Sequence, residues 1–152
     1  MRIKNLIVII FGLFVAWTAV LVNAQEFTQG EIIITRPWAR ISPPGVPNGA
    51  VYLTITLSGS EPDRLISAKS DVSDVVEFHS HEMENGMMRM RKLDSVELTP
   101  DSATEFAPGG LHVMLIGLKK PLASGETFTL TIEFERNDPM DIEVVVSDPD
   151  NS

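Results

Sequence analysis

The sequence predicts an all-β fold, a two-sheet sandwich of about eight short strands. Three observations carry this expectation. Runs of four to nine alternating or β-branched residues recur from residue 31 onward. Turn-forming clusters separate them. No window of ten or more residues beyond the N-terminal leader carries a helical period.

The expected strands, in order, are Glu31–Thr35, Ala50–Leu57, Leu65–Ala68, Val75–His81, Met87–Leu93, His112–Leu118, Thr127–Glu135 and Ile142–Val146. Thr127–Glu135 alternates most clearly. Phe128, Leu130, Ile132 and Phe134 share one side, with Thr and Glu on the other, as in a strand with one wet face. Between the runs stand Ser42-Pro43-Pro44-Gly45, Glu61-Pro62-Asp63, Asn85-Gly86, Pro108-Gly109-Gly110 and Asn137-Asp138-Pro139. Each presets φ or tolerates a positive one. The tail Ser147–Ser152 is polar and is expected to fray. No repeat or linker interrupts the chain, so residues 25–152 are expected to form a single domain.

The first 24 residues read as a secretory leader. Arg2 and Lys4 precede an apolar run from Leu6 to Leu21, broken only by Thr18. Val22-Asn23-Ala24 then places small residues at the −3 and −1 positions, so cleavage is expected after Ala24. The alternative is an uncleaved N-terminal membrane anchor; the run falls short of the ~20 residues that span a bilayer, which favours cleavage, and no stable membrane insertion is expected afterwards. The expected location is the periplasm. There is no cysteine at the cleavage site for a lipid anchor.

Composition removes whole classes of function. The chain of 152 residues has 12 Lys and Arg against 21 Asp and Glu. From Gln25 onward the net charge is −11, because only Arg2 and Lys4 fall in the leader. So acidic a chain lacks the basic patch that nucleic acids require. The absence of cysteine excludes disulfides, thiolate zinc sites, iron–sulfur clusters, thiol catalysis and a blue-copper centre. There is no nucleophile elbow, HExxH helix or Gly-rich phosphate loop, and the expectation is a protein without enzymatic activity.

The informative feature is where the soft ligands lie. All three histidines, His79, His81 and His112, fall in two neighbourhoods that also hold five of the seven methionines: Met83, Met87, Met88, Met90 and Met114. Imidazole and thioether without thiolate is a donor set suited to Cu(I). His112 and Met114 stand two apart on one strand and so share a face, while Val113 and Leu115 turn to the other. Asn85-Gly86 between two alternating runs is a type I′ hairpin signal. In that register His81 faces Met90, Met83 faces Met88 and His79 faces Lys92, which puts His79, His81, Met83, Met88 and Met90 on one side. Parity alone does not place Met83 or Met88 at a metal, and Met87 and Met140 read as ordinary packing residues.

At these residues the sequence resembles the periplasmic copper chaperone family called PCuAC. That family spaces its ligands as His, ten residues, Met, twenty-one residues, His, one residue, Met. Here His79, Met90, His112 and Met114 reproduce every gap. Glu77-Phe78-His79, Asn85 to Arg91 and Pro108 to Leu118 match in context, as do Trp38-Ala39-Arg40, Pro43-Pro44-Gly45 and Ala50 to Leu53. The likeness runs from about Ile32 to Val146. It implies a cupredoxin-like, Greek-key β-sandwich holding one Cu(I) per chain through His79, Met90, His112 and Met114. His81 is extra to the spacing and is kept as an accessory or Cu(II) ligand. The implied role is carriage of periplasmic copper to the copper subunit of cytochrome c oxidase, alongside Sco-type thiol chaperones, by a monomer. Some relatives carry a His- and Met-rich C-terminal extension. Asp148 to Ser152 has no such residues, so no tail-based copper site is expected. The alternatives are an envelope copper buffer or resistance protein, and a β-sandwich binding module in which the Met and His cluster is incidental.

Overall fold

A computed structural model describes residues 25–100 and 102–148. The leader, its cleavage after Ala24 and the tail from residue 149 lie outside the described residues. All eight expected strands are present: β2 (Ile32–Arg40), β3 (Asn48–Leu57), β4 (Asp63–Lys69), β5 (Ser73–Glu84), β6 (Met87–Leu93), β9 (His112–Leu118), β10 (Thr127–Phe134) and β11 (Met140–Ser147). Three more join them: β1 (Glu26–Gln29), β7 (Val96–Leu98) and β8 (Thr104–Phe106). At three or four residues each, these are too short to show a period. No helix occurs among the described residues. Ser147, expected to begin the frayed tail, instead pairs with Arg40, and its carbonyl accepts from the Ile41 N–H at 3.2 Å.

The strands run in the order β6-β5-β9-β3-β2-β11-β10-β4-β7, with β1 added to β2 and β8 to β3. Pairing is antiparallel except between β11 and β2. Two strands change neighbours part-way along. The first half of β2 pairs β1 and its last residues pair β11. The break falls at Arg36, whose φ of 52° accompanies a register shift between Thr35 and Trp38. Likewise, Asn48–Val51 of β3 pair β9, while Leu53–Ile55 pair β8. Strands that swap partners at a bulge turn the corner between two layers, so one continuous ladder becomes a sandwich.

Between the layers lies one apolar core. Ile34, Val51, Leu65, Val113, Leu115, Leu130, Ile132 and Val144 are all inaccessible to solvent. Each contributes about 1.5–3 kcal/mol by burial. Leu130 and Ile132 face inward with Phe134, as their alternation requires. At one end of β4, buried Asp63 accepts from the N–H groups of Arg64 (2.7 Å), Arg136 (3.0 Å) and Asn137 (3.3 Å) and from Asn137 Nδ2 (2.7 Å). Burial pushes its carboxyl up, but these hydrogen bonds outweigh it and hold the group below the ordinary aspartate range.

Candidate metal centre

The β5–β6 hairpin forms in the register its turn demands. Asn85 (φ 52°) and Gly86 (φ 78°) both adopt the left-handed conformation of a type I′ turn. His81 then faces Met90, Met83 faces Met88, and His79 faces Lys92. On its other edge β5 pairs β9, and the last rung of that ladder joins His79 to His112. Two rungs earlier, on the same face, Glu77 faces Met114. Val113 and Leu115 point into the core, so His112 and Met114 stand on the outer face.

The three imidazoles come together. The ring centroids of His79 and His112 are 5.8 Å apart, and His81 stacks on His112 at 5.0 Å with planes 28° apart. His112 is only 3% exposed. It starts β9 immediately after Pro108-Gly109-Gly110, and its Nδ1 lies 3.0 Å from the Gly110 carbonyl oxygen. A carbonyl only accepts, so Nδ1 carries the proton and Nε2 keeps a lone pair. Burial pushes the His112 pKa down, against the Gly110 hydrogen bond and with the help of His81 and His79. His79 is oriented the other way round. Its Nε2 lies 2.8 Å from Glu77 Oε2, while Lys92 Nζ donates to Glu77 Oε1 at 2.7 Å. The Lys92 hydrogen bond, then that of His79, holds the Glu77 carboxyl below its usual range. An ionised carboxylate only accepts, so His79 Nδ1 retains the lone pair. That atom is buried without a protein hydrogen-bond partner, as is His81 Nδ1. Buried polar atoms are rarely left so, and an unpaired imidazole nitrogen is a metal donor.

His81, Met90, His112 and Met114 line one groove of about 270 Å³. The segment around Ile41, Ser42, Pro43 and Val46 also lines it, as does Tyr52. Ser42 anchors that segment: its Oγ accepts from the Leu122 N–H at 2.8 Å, and its own N–H donates to the Leu122 carbonyl at 3.0 Å. His79 does not line the groove; it lies beside His112 on the neighbouring strand. Met90 is 48% exposed, so solvent reaches the groove on its side rather than at His112. Met140 packs in the core as expected. Met87 does not: it is 57% exposed, on the face of the hairpin opposite the histidines.

Among the described residues, no group of three or more His, Asp or Glu side chains is disposed to hold a metal ion. The nitrogen donors of the arrangement are its clustered imidazoles. With the thioethers of Met90 and Met114 added, it offers a soft ion a mixed nitrogen and sulfur set. Sequence reasoning missed Glu77 and the Gly110 carbonyl. Glu77 was detectable as an acid two residues before His79 on the same strand face, whereas a backbone carbonyl leaves no signal in side-chain identity.

Residues 32–146 match the family described as "Putative lipoprotein LpqE-like". A curated relative, "Putative lipoprotein Lxx21020" of Leifsonia xyli subsp. xyli, is 27% identical across 97% of this chain and 90% of its own length. Among solved structures, the copper-bound PCuAC domain from PmoF2 superposes with a TM-score of 0.71 at 31% identity, covering 82% of this chain and 99% of that domain. The solution structure of CuI-DR1885 from Deinococcus radiodurans does so with a TM-score of 0.55 at 26% identity, covering 74% of this chain and 77% of its own. The shared architecture is the cupredoxin-like β fold.

Proposed function

We propose, for a chain that belongs to the LpqE-like family, that it is a copper carrier of the cell envelope, holding one Cu(I) through His79, Met90, His112 and Met114. The observation that supports this most is the junction of β5 and β9. There two imidazoles face each other with lone pairs oriented by Glu77 and by the Gly110 carbonyl, and the two thioethers line the groove beside His112. Such backing fixes the tautomer and raises the basicity of a ligating histidine. The similar PmoF2 and DR1885 structures are copper-bound and Cu(I) forms, which favours copper over other soft ions.

In this reading each part of the site has a task. His112, buried and neutral, is the fixed nitrogen donor. His79 is the second, held by Glu77 and Lys92. Met114 closes the inner side. Met90, on the hairpin and half-exposed, is the donor a partner's ligands meet first. His81, stacked on His112 and facing Met90, is an accessory nitrogen. Neutral thioethers bind Cu(I) without the redox liability of thiols, which suits an oxidising compartment. The protein carries out no reaction on the metal. It takes the ion and releases it to copper-accepting proteins, with the cytochrome c oxidase copper subunit or a Sco-type thiol chaperone as acceptor.

The leader pattern of residues 1–24 supports a periplasmic location for the mature chain. Its acidic surface steers a basic acceptor toward it, at a rate that declines with salt. The test mixes Cu(I)-loaded protein with an apo acceptor domain while a Cu(I) chelator competes for free metal only. Carriage requires that transfer persist undiminished. Abolition by the chelator would make the protein a buffer, and failure to retain one equivalent of Cu(I) would remove the metal role altogether.

A further inference from the structure

We propose that one face of the β5–β6 hairpin is a second, outer soft-metal site, in which the thioethers of Met83, Met88 and Met90 take a Cu(I) ion at the mouth of the inner centre. Beyond the His79–His112 rung, β5 has no partner other than β6. Residues Ser80–Glu84 and Met87–Arg91 therefore form a two-stranded arm. Its two faces differ sharply. One holds Met87 together with Glu82, Glu84, Arg89 and Arg91, the charged residues tied by ion pairs of Arg91 with Glu82 (2.9 Å) and of Arg89 and Arg91 with Glu84 (both 3.3 Å). The other holds Met83, Met88 and Met90, which are 67%, 60% and 48% exposed. A ribbon kept soluble by charge on one side has no folding reason to display three thioethers on the other.

Register brings the sulfurs within reach of one ion. Met83 and Met88 are direct partners, one rung inside the turn-flanking pair Glu84 and Met87. In a two-residue hairpin that rung is the non-hydrogen-bonded one, where Cβ atoms lie about 4.5–5.5 Å apart. Each sulfur is two bonds beyond its Cβ, so both can meet a metal between them. Met90 follows Met88 by two residues on the same face and supplies the third sulfur. With His81, opposite Met90, stacked on His112, the three neutral thioethers select Cu(I) or Ag(I) and hold it less tightly than the mixed inner set. Successive rows on this face, Met83 with Met88, then Met90 with His81, then His79 with His112, are about 7 Å apart. Met90 belongs to both sites. The outer site is thus an antechamber, a role that rests on the copper-carrier reading above. The binding itself does not depend on that reading.

The test is a titration of the protein, carrying 13C-labelled methionine methyls, with Ag(I) as the redox-stable probe. Met114 reports the inner groove, Met83 and Met88 the outer site, and Met87 and Met140 serve as controls. The expected result is that Met114 shifts over the first equivalent and Met83 and Met88 over the second, with Met87 and Met140 unmoved. Met83→Leu with Met88→Leu removes the second event and leaves the first. A Met114 response with Met83 and Met88 silent overturns the outer site and leaves the inner one standing. The reverse pattern sustains the outer site and overturns the inner. A Met87 shift in step with Met83 means unspecific thioether binding and overturns the proposal. So does movement of Met83 and Met88 only when an acceptor protein is added, which marks the face as a protein contact.

Discussion

His79 and His112 are direct partners across β5 and β9, their ring centroids 5.8 Å apart and their planes inclined by 44°. Each is oriented by an acceptor from its own strand or the turn before it, Glu77 in one case and the Gly110 carbonyl in the other. His81 lies on the same face, closer to His112 and opposite Met90. The neighbours thus have different backing, and that separates their expected contributions.

Replacing His79 by Ala is expected to weaken Cu(I) binding by about 100-fold or more, since loss of even a residue that orients a ligand costs 10–100-fold. His81→Ala should cost less than about 10-fold on the same scale. Competition against a Cu(I) chelator measures both. A larger loss for His81→Ala would exchange the two roles.

In the proposed site Glu77 acts through His79, whose Nε2 lies 2.8 Å from its Oε2. Glu77→Ala should lower Cu(I) affinity by about 10–100-fold, and Glu77→Gln, which keeps an acceptor, by less. Both proteins should retain the wild-type far-ultraviolet circular dichroism, because Glu77 lies on the outer face and not in the core. Equal loss in the two variants would indicate that charge toward Lys92, rather than orientation of His79, is what matters.

The depressed pKa of buried His112 has a definite sign. The unfolded chain takes up this proton near the reference value of about 6.5, and the folded chain only below it. Stability of the metal-free protein should therefore be unaffected by this group above about pH 6.5 and fall as pH drops through the folded pKa. For the same reason His112 stays neutral and able to ligate into mildly acidic solution. Thermal unfolding across pH 5–8, with His112→Gln as the control that removes the slope, checks the first point. An NMR titration of the His112 ring, with a midpoint below the reference value, checks the second.

Asp63 gathers four hydrogen bonds at a site 3% exposed to solvent. Asp63→Ala strands three backbone N–H groups and should cost about 2–4 kcal/mol, by the cost of unsatisfied buried donors. Chemical denaturation measures it. Since the folded pKa is lowered, the contribution is present above the unfolded value and is lost as pH falls through the folded one.

Most of this architecture was legible because local chemistry and global packing agree. Thr127–Phe134 alternates in sequence because Leu130, Ile132 and Phe134 face the core. Asn85-Gly86 set the hairpin register, and with it the pairing of His81 with Met90. Less visible was what depends on several strands at once. The partner exchanges of β2 and β3 leave only Arg36-Pro37 as a trace. The strands β1, β7 and β8 are too short to show alternation. Met87 looked like packing and is exposed because its hairpin outruns the neighbouring strand. The spacing pointed to His79, but could not show that His81 shares the groove with Met90 while His79 is turned toward Glu77.

X-ray absorption at the copper edge of the Cu(I)-loaded protein tests the donor set most directly. The expected spectrum is that of one Cu(I) per chain with mixed nitrogen and sulfur scattering, the sulfur diminished in Met90→Leu and in Met114→Leu and the nitrogen diminished in His112→Gln. A spectrum with nitrogen or oxygen neighbours alone, unchanged in both methionine variants, would contradict it and remove Met90 and Met114 from the metal.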